Sequence, residues 1–142
     1  MHADFNLIDL ISERHVQLRK LTESLWNDHS NIYISNSEWF ILAKVYQKEQ
    51  TTISYVTRQL DISRQATHKF IKSLAEKGLV IIDSLKDNKK EKCIQLTELG
   101  QQYLEKNKSL KNEIEDKIKE EIGTEKLDTL KVILNSDWGM ES

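Results

Sequence analysis

Not one of the 142 residues is proline, and only four are glycine. Average usage of about 5% would give around seven prolines in such a chain. Proline removes a backbone donor and breaks a helix wherever it falls in the interior, so its absence favours long, uninterrupted helices. The length suits one domain, at about 100–200 residues each. Hydrophobic residues make up 38% and charged residues 31%, too apolar for a disordered tail and too polar for a membrane protein. The longest apolar run, Trp39 to Ala43, falls far short of the roughly 20 residues a membrane span needs. Met1-His2-Ala3-Asp4 is not a basic segment leading into an apolar stretch. The single cysteine, Cys93, excludes an intramolecular disulfide and a cysteine-built zinc cage. The expectation is a cytoplasmic protein without membrane contact.

Apolar periodicity divides the chain. Ile8, Ile11, Leu18, Leu21 and Leu25 predict a helix over 4–28. Ser37 is a candidate N-cap for a helix over 38–48 that turns Phe40, Ile41 and Val45 inward. Thr51-Thr52 opens a short helix over 53–60, with Ile53, Val56 and Leu60 as its stripe. After the tight connection Leu60-Asp61-Ile62, Ser63 caps a helix over 64–77, stopped by Gly78. Its stripe is Thr67, Phe70, Ile71 and Leu74, spaced i, i+3, i+4, i+7. Leu79–Ile82 and Cys93–Leu96 predict two strands, the second with Ile94 and Leu96 on its buried face, joined by a polar loop carrying Asp87-Asn88. Thr97 caps a long helix to Ile122, with a stripe of Leu99, Tyr103, Leu110, Ile114, Ile118 and Ile122. A last helix covers 125–135. A helix of about 26 residues spans roughly 39 Å, more than a small globule is wide, so the flanking helices are expected to bury their stripes against a second copy of the chain.

The net charge of −2 conceals a division. Residues 52–92 hold nine basic and five acidic side chains, net +4. The remainder holds twelve basic and eighteen acidic, net −6. Phosphate binding needs local positive charge, not a basic total. On the 64–77 helix the face opposite the stripe carries Arg64, Gln65, His68, Lys69 and Lys72, residue types that reach base edges and phosphates. Short helix, tight turn and helix with a polar-basic outer face is the helix-turn-helix order. An amphipathic bundle helix with a soluble face explains that one helix about as well. The hairpin, with Lys86, Lys89, Lys90 and Lys92 in or beside its loop, adds a basic wing. The pattern reads as mainly α with a small β-hairpin wing, a winged helix-turn-helix with long N- and C-terminal dimerisation helices.

At these residues the chain resembles the MarR family of bacterial transcription regulators. The resemblance is carried by Thr52–Thr57 at the start of the first motif helix, and by Ile62-Ser63-Arg64-Gln65-Ala66-Thr67-His68-Lys69 at the start of the second. Leu74-Ala75-Glu76-Lys77-Gly78-Leu79-Val80 and the Leu96-Thr97-Glu98-Leu99-Gly100 return into the long helix complete it. There are departures. Ile82 stands where members often carry Arg, and Asn88-Lys89-Lys90 aligns with an Asp-x-Arg wing, which Asp87 restores in part with a one-residue shift. Asp61 stands at a turn position where Gly is common, and Asp tolerates a left-handed backbone better than most residues. Lys90 in place of Arg is a point charge without the planar fork, so this wing is expected to add affinity more than sequence preference.

The resemblance implies a homodimer bound to double-stranded DNA at a pseudo-palindrome. Residues 37–97 would be the DNA-binding lobe and 4–28 with 98–135 the dimerisation helices of a single domain. Ser63 joins Arg64, Gln65, His68, Lys69, Lys72, Lys86, Lys89, Lys90 and Lys92 as the DNA-binding set. The resemblance also implies repression by promoter occlusion, release by a small-molecule effector, and a pocket between dimerisation helices and lobe. Trp26, His29, Tyr33 and Trp39 cluster at that place in the chain, where core packing is the competing account of each. Relatives that sense oxidants carry their thiol near the start of the first helix, where this chain has none; Cys93 is expected to be a packed, inert thiol. No phosphate loop, nucleophile elbow or metal motif is present, so neither an enzyme nor a cofactor is expected. The alternative function is a dimeric winged-helix module that docks on protein; Arg64, Lys69 and Lys72 favour DNA.

Overall fold

The computed structural model describes residues 4–48, 50–85 and 88–140, with the side chains of residues 50, 84, 85 and 88–91 left out of the description. The order is α1 (Leu7–Asp28), α2 (Asn36–Lys48), β1 (Gln50–Thr52), α3 (Ile53–Leu60), α4 (Arg64–Glu76), β2 (Val80–Leu85), β3 (Asn88–Leu96), α5 (Glu98–Ile122) and α6 (Thr124–Leu134). Two compact units are present, residues 1–107 and 108–142, with the boundary inside α5.

The first unit holds the sheet and a core of Trp26, Ile34, Ile41, Leu42, Val45, Val56, Ile71, Leu74, Leu79 and Ile94. α1 begins later than its periodicity suggests because the Asn6 side chain accepts from Asp9 N at 3.0 Å and caps it there. α2 begins earlier. Ser35, not Ser37, is its cap: Ser35 Oγ accepts from Glu38 N and Glu38 Oε1 accepts from Ser35 N, a reciprocal capping box that Ser37 cannot make with Phe40 three residues on. The face that α2 buries is set accordingly. Trp39, Ile41, Leu42 and Val45 point into the core, whereas Phe40 is exposed beneath the Lys44 ammonium.

The sheet has three antiparallel strands in the order β1-β3-β2, one more than the two expected. Thr51 pairs with Ile94 on one side of β3, and Ile82 pairs with Ile94 on the other. As the central strand, β3 buries both Cys93 and Ile94, with Leu96 half-buried. The ladder runs into the stretch expected to be loop, with a register irregularity between Ser84 and Leu85.

α4 closes with a Schellman motif. Leu79 N donates to Leu74 O and Gly78 N to Ala75 O, and Gly78 supplies φ +78°. Thr97 Oγ1 donates to Gly78 O at 2.7 Å and accepts from Gly100 N at 3.0 Å, so the start of α5 is fastened to the end of α4. A Cβ at Gly100 would collide with the Leu79 carbonyl, which is why the return into α5 carries glycine there.

In the second unit Leu110, Ile114 and Leu127 are buried, and Lys131 pairs with Glu115 at 3.0 Å. Leu130, Val132, Ile133 and Leu134 remain exposed. α1 is likewise uncovered along most of its length: Leu7, Ile8, Leu10, Ile11, Val16, Leu18 and Leu21 are exposed, and only Trp26 is buried.

Candidate nucleic-acid interface

Two capped helices and the turn between them set the geometry. Thr52 Oγ1 accepts from Tyr55 N at 3.1 Å and opens α3. α3 ends at Asp61, which adopts the left-handed backbone (φ 54°, ψ 44°) that the tight connection requires. Ser63 Oγ then accepts from Ala66 N at 3.1 Å and opens α4. The Ser63 carbonyl accepts from both the amide and the hydroxyl of Thr67, so a fully buried threonine keeps no unsatisfied donor.

Thr67, Ile71 and Leu74 anchor the inner face of α4, with Phe70 half-buried beside them. The outer face presents Arg64, Gln65, His68, Lys69 and Lys72, all exposed. None of the five makes an ion pair or side-chain hydrogen bond among the described residues. Ser63, Gln65, Ala66, His68, Lys69 and Lys72 line one open concavity along this face. A 13-residue helix is about 20 Å long, and a B-DNA major groove about 12 Å wide admits one. Of the six α4 and cap residues expected from the sequence, the structure brings Ser63, Gln65, His68, Lys69 and Lys72 together along this concavity, while Arg64 is exposed on the first turn of the same helix and does not line it.

In the wing, Lys92 is exposed on β3. Lys86 lies outside the described residues, as does Asp87 of the expected turn, and so do the side chains of Lys89 and Lys90.

Residues 34–100 match the family model of the winged helix DNA-binding domain. Over 86 residues the chain is 29% identical to an uncharacterised HTH-type transcriptional regulator of Staphylococcus aureus strain MRSA252, covering 61% of this chain and 57% of that protein. The chain thus spans little more than half the length of the curated relatives it matches. Escherichia coli MarR in its apo form superimposes with a TM-score of 0.81 at 17% identity, over 92% of this chain and 94% of that one. The chain has the fold of MarR, and the match to a winged helix DNA-binding domain falls on its residues 34–100. Two further structures with this fold contain DNA. A mutant of E. coli MarR complexed with operator DNA matches at TM-score 0.75 and 16% identity, covering 94% of each chain. A mutant of S. aureus MepR bound to an oligodeoxyribonucleotide matches at TM-score 0.67 and 18% identity, over 92% of this chain and 94% of that one. No described helix is long and apolar enough to cross a membrane.

Within the MarR fold the four residues singled out for a ligand pocket separate. Trp26 and Trp39 are core, packed edge to face with ring centroids 4.7 Å apart, and Trp26 Nε1 donates to Ile32 O. His29 and Tyr33 are exposed; His29 Nδ1 lies 2.8 Å from Leu25 O at the end of α1. A cavity of about 560 Å³ opens elsewhere in the first unit, where His15 and Arg19 of α1 face Asn36 and Phe40 of α2 and Gln59 of α3. None of the four aromatic-cluster residues lines it. Asn36 Nδ2 is buried without a hydrogen-bond partner among the described residues. Periodicity gave no sign of this cavity, because its walls come from three helices. The one local signal was polar residues, His15, Arg19 and Thr22, at steps of three and four beside the apolar stripe of α1.

Proposed function

We propose that the chain is a sequence-specific, DNA-binding transcription regulator. It acts as a homodimer on a pseudo-palindromic operator, represses by occluding a promoter, and is released by a small molecule. The observation that carries this reading is the two-faced α4. Its inner face is fixed in the core by Thr67, Ile71 and Leu74, and its outer face holds five donor groups that are unpartnered among the described residues, with no acid among them. In that reading Arg64, Gln65 and His68, near the N-terminal end of α4, read base edges. Lys69, Lys72 and the wing lysines Lys86, Lys89, Lys90 and Lys92 meet phosphates. Residues 37–97 serve as the DNA-binding lobe, and 4–28 with 98–135 as dimerisation helices. The exposed apolar row along α1 supports a second copy as its cover. The cavity beside Arg19 supports an effector, since apolar surface from Leu18 and Phe40 lies there beside a guanidinium. No catalytic step is assigned.

The test is selection of duplexes from random oligonucleotides, followed by affinity measurements on selected and random DNA across salt. The expected result is a two-fold-symmetric consensus bound at least a thousandfold more tightly than random DNA at one salt concentration, a ratio typical of specific binders. Equal affinity for both would refute sequence reading and transfer the assignment to a protein-docking module.

A further inference from the structure

Glu38 does more than cap α2. It is 3% exposed, and both its oxygens are occupied. Oε1 accepts from Ser35 N at 3.0 Å, from Ser35 Oγ at 3.1 Å and from Lys77 Nζ at 3.0 Å. Oε2 accepts from Lys77 Nζ at 2.7 Å and from Ser73 Oγ at 3.2 Å. Lys77 Nζ also donates to Tyr33 O at 2.7 Å, just before the cap of α2. The capping box needs only Ser35 and Glu38. The contacts to Ser73 and Lys77 add nothing that α2 requires; they fasten the last turn and C-cap of α4 to the N-terminus of α2.

We propose that Glu38 is a positioning residue for DNA readout, the fixed point to which Lys77 and Ser73 moor the C-terminal end of α4. The N-terminal end is held by the Ser63 cap and the left-handed turn at Asp61. With both ends held, the helix can neither roll nor pivot, and Arg64, Gln65 and His68 stay in one register. Recognition side chains must be held to about 0.5 Å and 10–20°, and a buried carboxylate with both oxygens satisfied, one partner being a half-buried lysine, is a stiff way to do so. Such pairs are better attested as specifiers of one arrangement than as sources of stability. The proposal rests on α4 being the element that reads DNA.

Electrostatics and positioning predict opposite signs for Glu38→Gln. Removing a negative charge from a DNA-binding lobe tightens binding to any sequence through phosphate attraction. Loosening α4 weakens binding to the preferred sequence alone. The cleaner probe is the double variant Glu38→Gln with Lys77→Met, which leaves net charge unchanged and strands no buried ion. Wild type, this double variant and Ser73→Ala are titrated at one salt concentration against a duplex selected by the wild type and against a random duplex, with thermal melts alongside. For the double variant, affinity for random DNA is expected to stay within about twofold. Affinity for the selected duplex is expected to fall about tenfold, the equivalent of roughly one base contact. Ser73→Ala, which removes one neutral hydrogen bond from the same carboxylate, should lower the selected-to-random ratio about two- to threefold.

An unchanged ratio in a folded double variant overturns the proposal. So does a parallel fall on both duplexes, which is what a smaller folded fraction alone produces. If the double variant melts below the assay temperature, Ser73→Ala decides, and an unchanged ratio there overturns it. A wild type that selects no sequence overturns the DNA reading and this proposal together. A wild type that selects one, beside variants that keep its ratio, overturns this proposal alone.

Discussion

Replacing Ile8 by aspartate should separate the proposed homodimer without unfolding the chain. Ile8 lies near the start of α1 and is 73% exposed, with Leu7 beside it at 59% and Ile11 one turn on. Burying an isoleucine side chain contributes about 1.5–3 kcal/mol, so a residue three-quarters exposed in the single chain leaves about 1–2 kcal/mol to be gained on association. In a two-fold dimer each substitution counts twice, about 2–4 kcal/mol in all, which raises the dissociation constant roughly 30- to 1,000-fold. An aspartate carboxylate at the same place adds a desolvation cost on top. Ile114, on the long apolar stripe of α5, makes a poorer probe. It is 7% exposed within the chain itself, so a charge there attacks folding before it attacks assembly. Sedimentation velocity from nanomolar to micromolar concentration, with circular dichroism for helix content, reads both effects. The wild type should sediment as a dimer at micromolar concentration, and the variant as a folded 16.7 kDa monomer. A wild type that stays monomeric at micromolar concentration refutes the reasoning, as does a variant whose dimer dissociates at the wild-type concentration.

Gln65→Ala should cost about 1–3 kcal/mol on the selected duplex and leave random DNA unaffected, since net charge is untouched; an equal loss on both means that Gln65 does not read sequence. Lys72→Ala should weaken both duplexes alike and lower the log–log salt slope by about 1 per lobe, as titrations at several salt concentrations would show. Replacing Lys86, Lys89, Lys90 and Lys92 together by alanine should flatten the salt dependence further, and an unchanged slope and affinity would mean that the wing does not touch DNA. Asp61→Gly should stabilise the fold by about 1 kcal/mol, because glycine adopts φ 54° without a Cβ penalty, whereas Asp61→Val should destabilise it; urea denaturation measures both.

How far each feature could be read from the sequence follows from how local its cause is. The two faces of α4 were legible because Thr67, Ile71 and Leu74 recur at helical spacing and the residues between them are polar. Ser63, Gly78 and Thr97 were legible as caps because each acts within a few residues of itself, and the structure shows the hydrogen bonds expected of them. The left-handed turn at Asp61 was legible for the same reason. β1 was not, because three residues are too few to show a period of two and the strand exists only by pairing with β3, some forty residues on. The cap of α2 lies two residues before the serine that the pattern suggests. Ser35 and Ser37 are equally good cap residues alone, and what separates them is Glu38 at the third position of the box, which also turns Phe40 out and Trp39 in.

The site divides along the same line. A helix face that meets a ligand is a local pattern, so Arg64, Gln65, His68, Lys69 and Lys72 could be picked out one by one. What holds that face at a fixed angle is not local. The Glu38 carboxylate meets Ser73 and Lys77 across 35 and 39 residues of chain, and in the sequence it reads as one more charge in a chain that is 31% charged. Its burial, and the five donor contacts on its two oxygens, are what distinguish it from a solvated surface acid. The residues that would touch DNA are thus visible in the one-dimensional pattern. The residue that would set their aim becomes visible only once the chain is folded, because its role is to relate two elements that the sequence keeps apart.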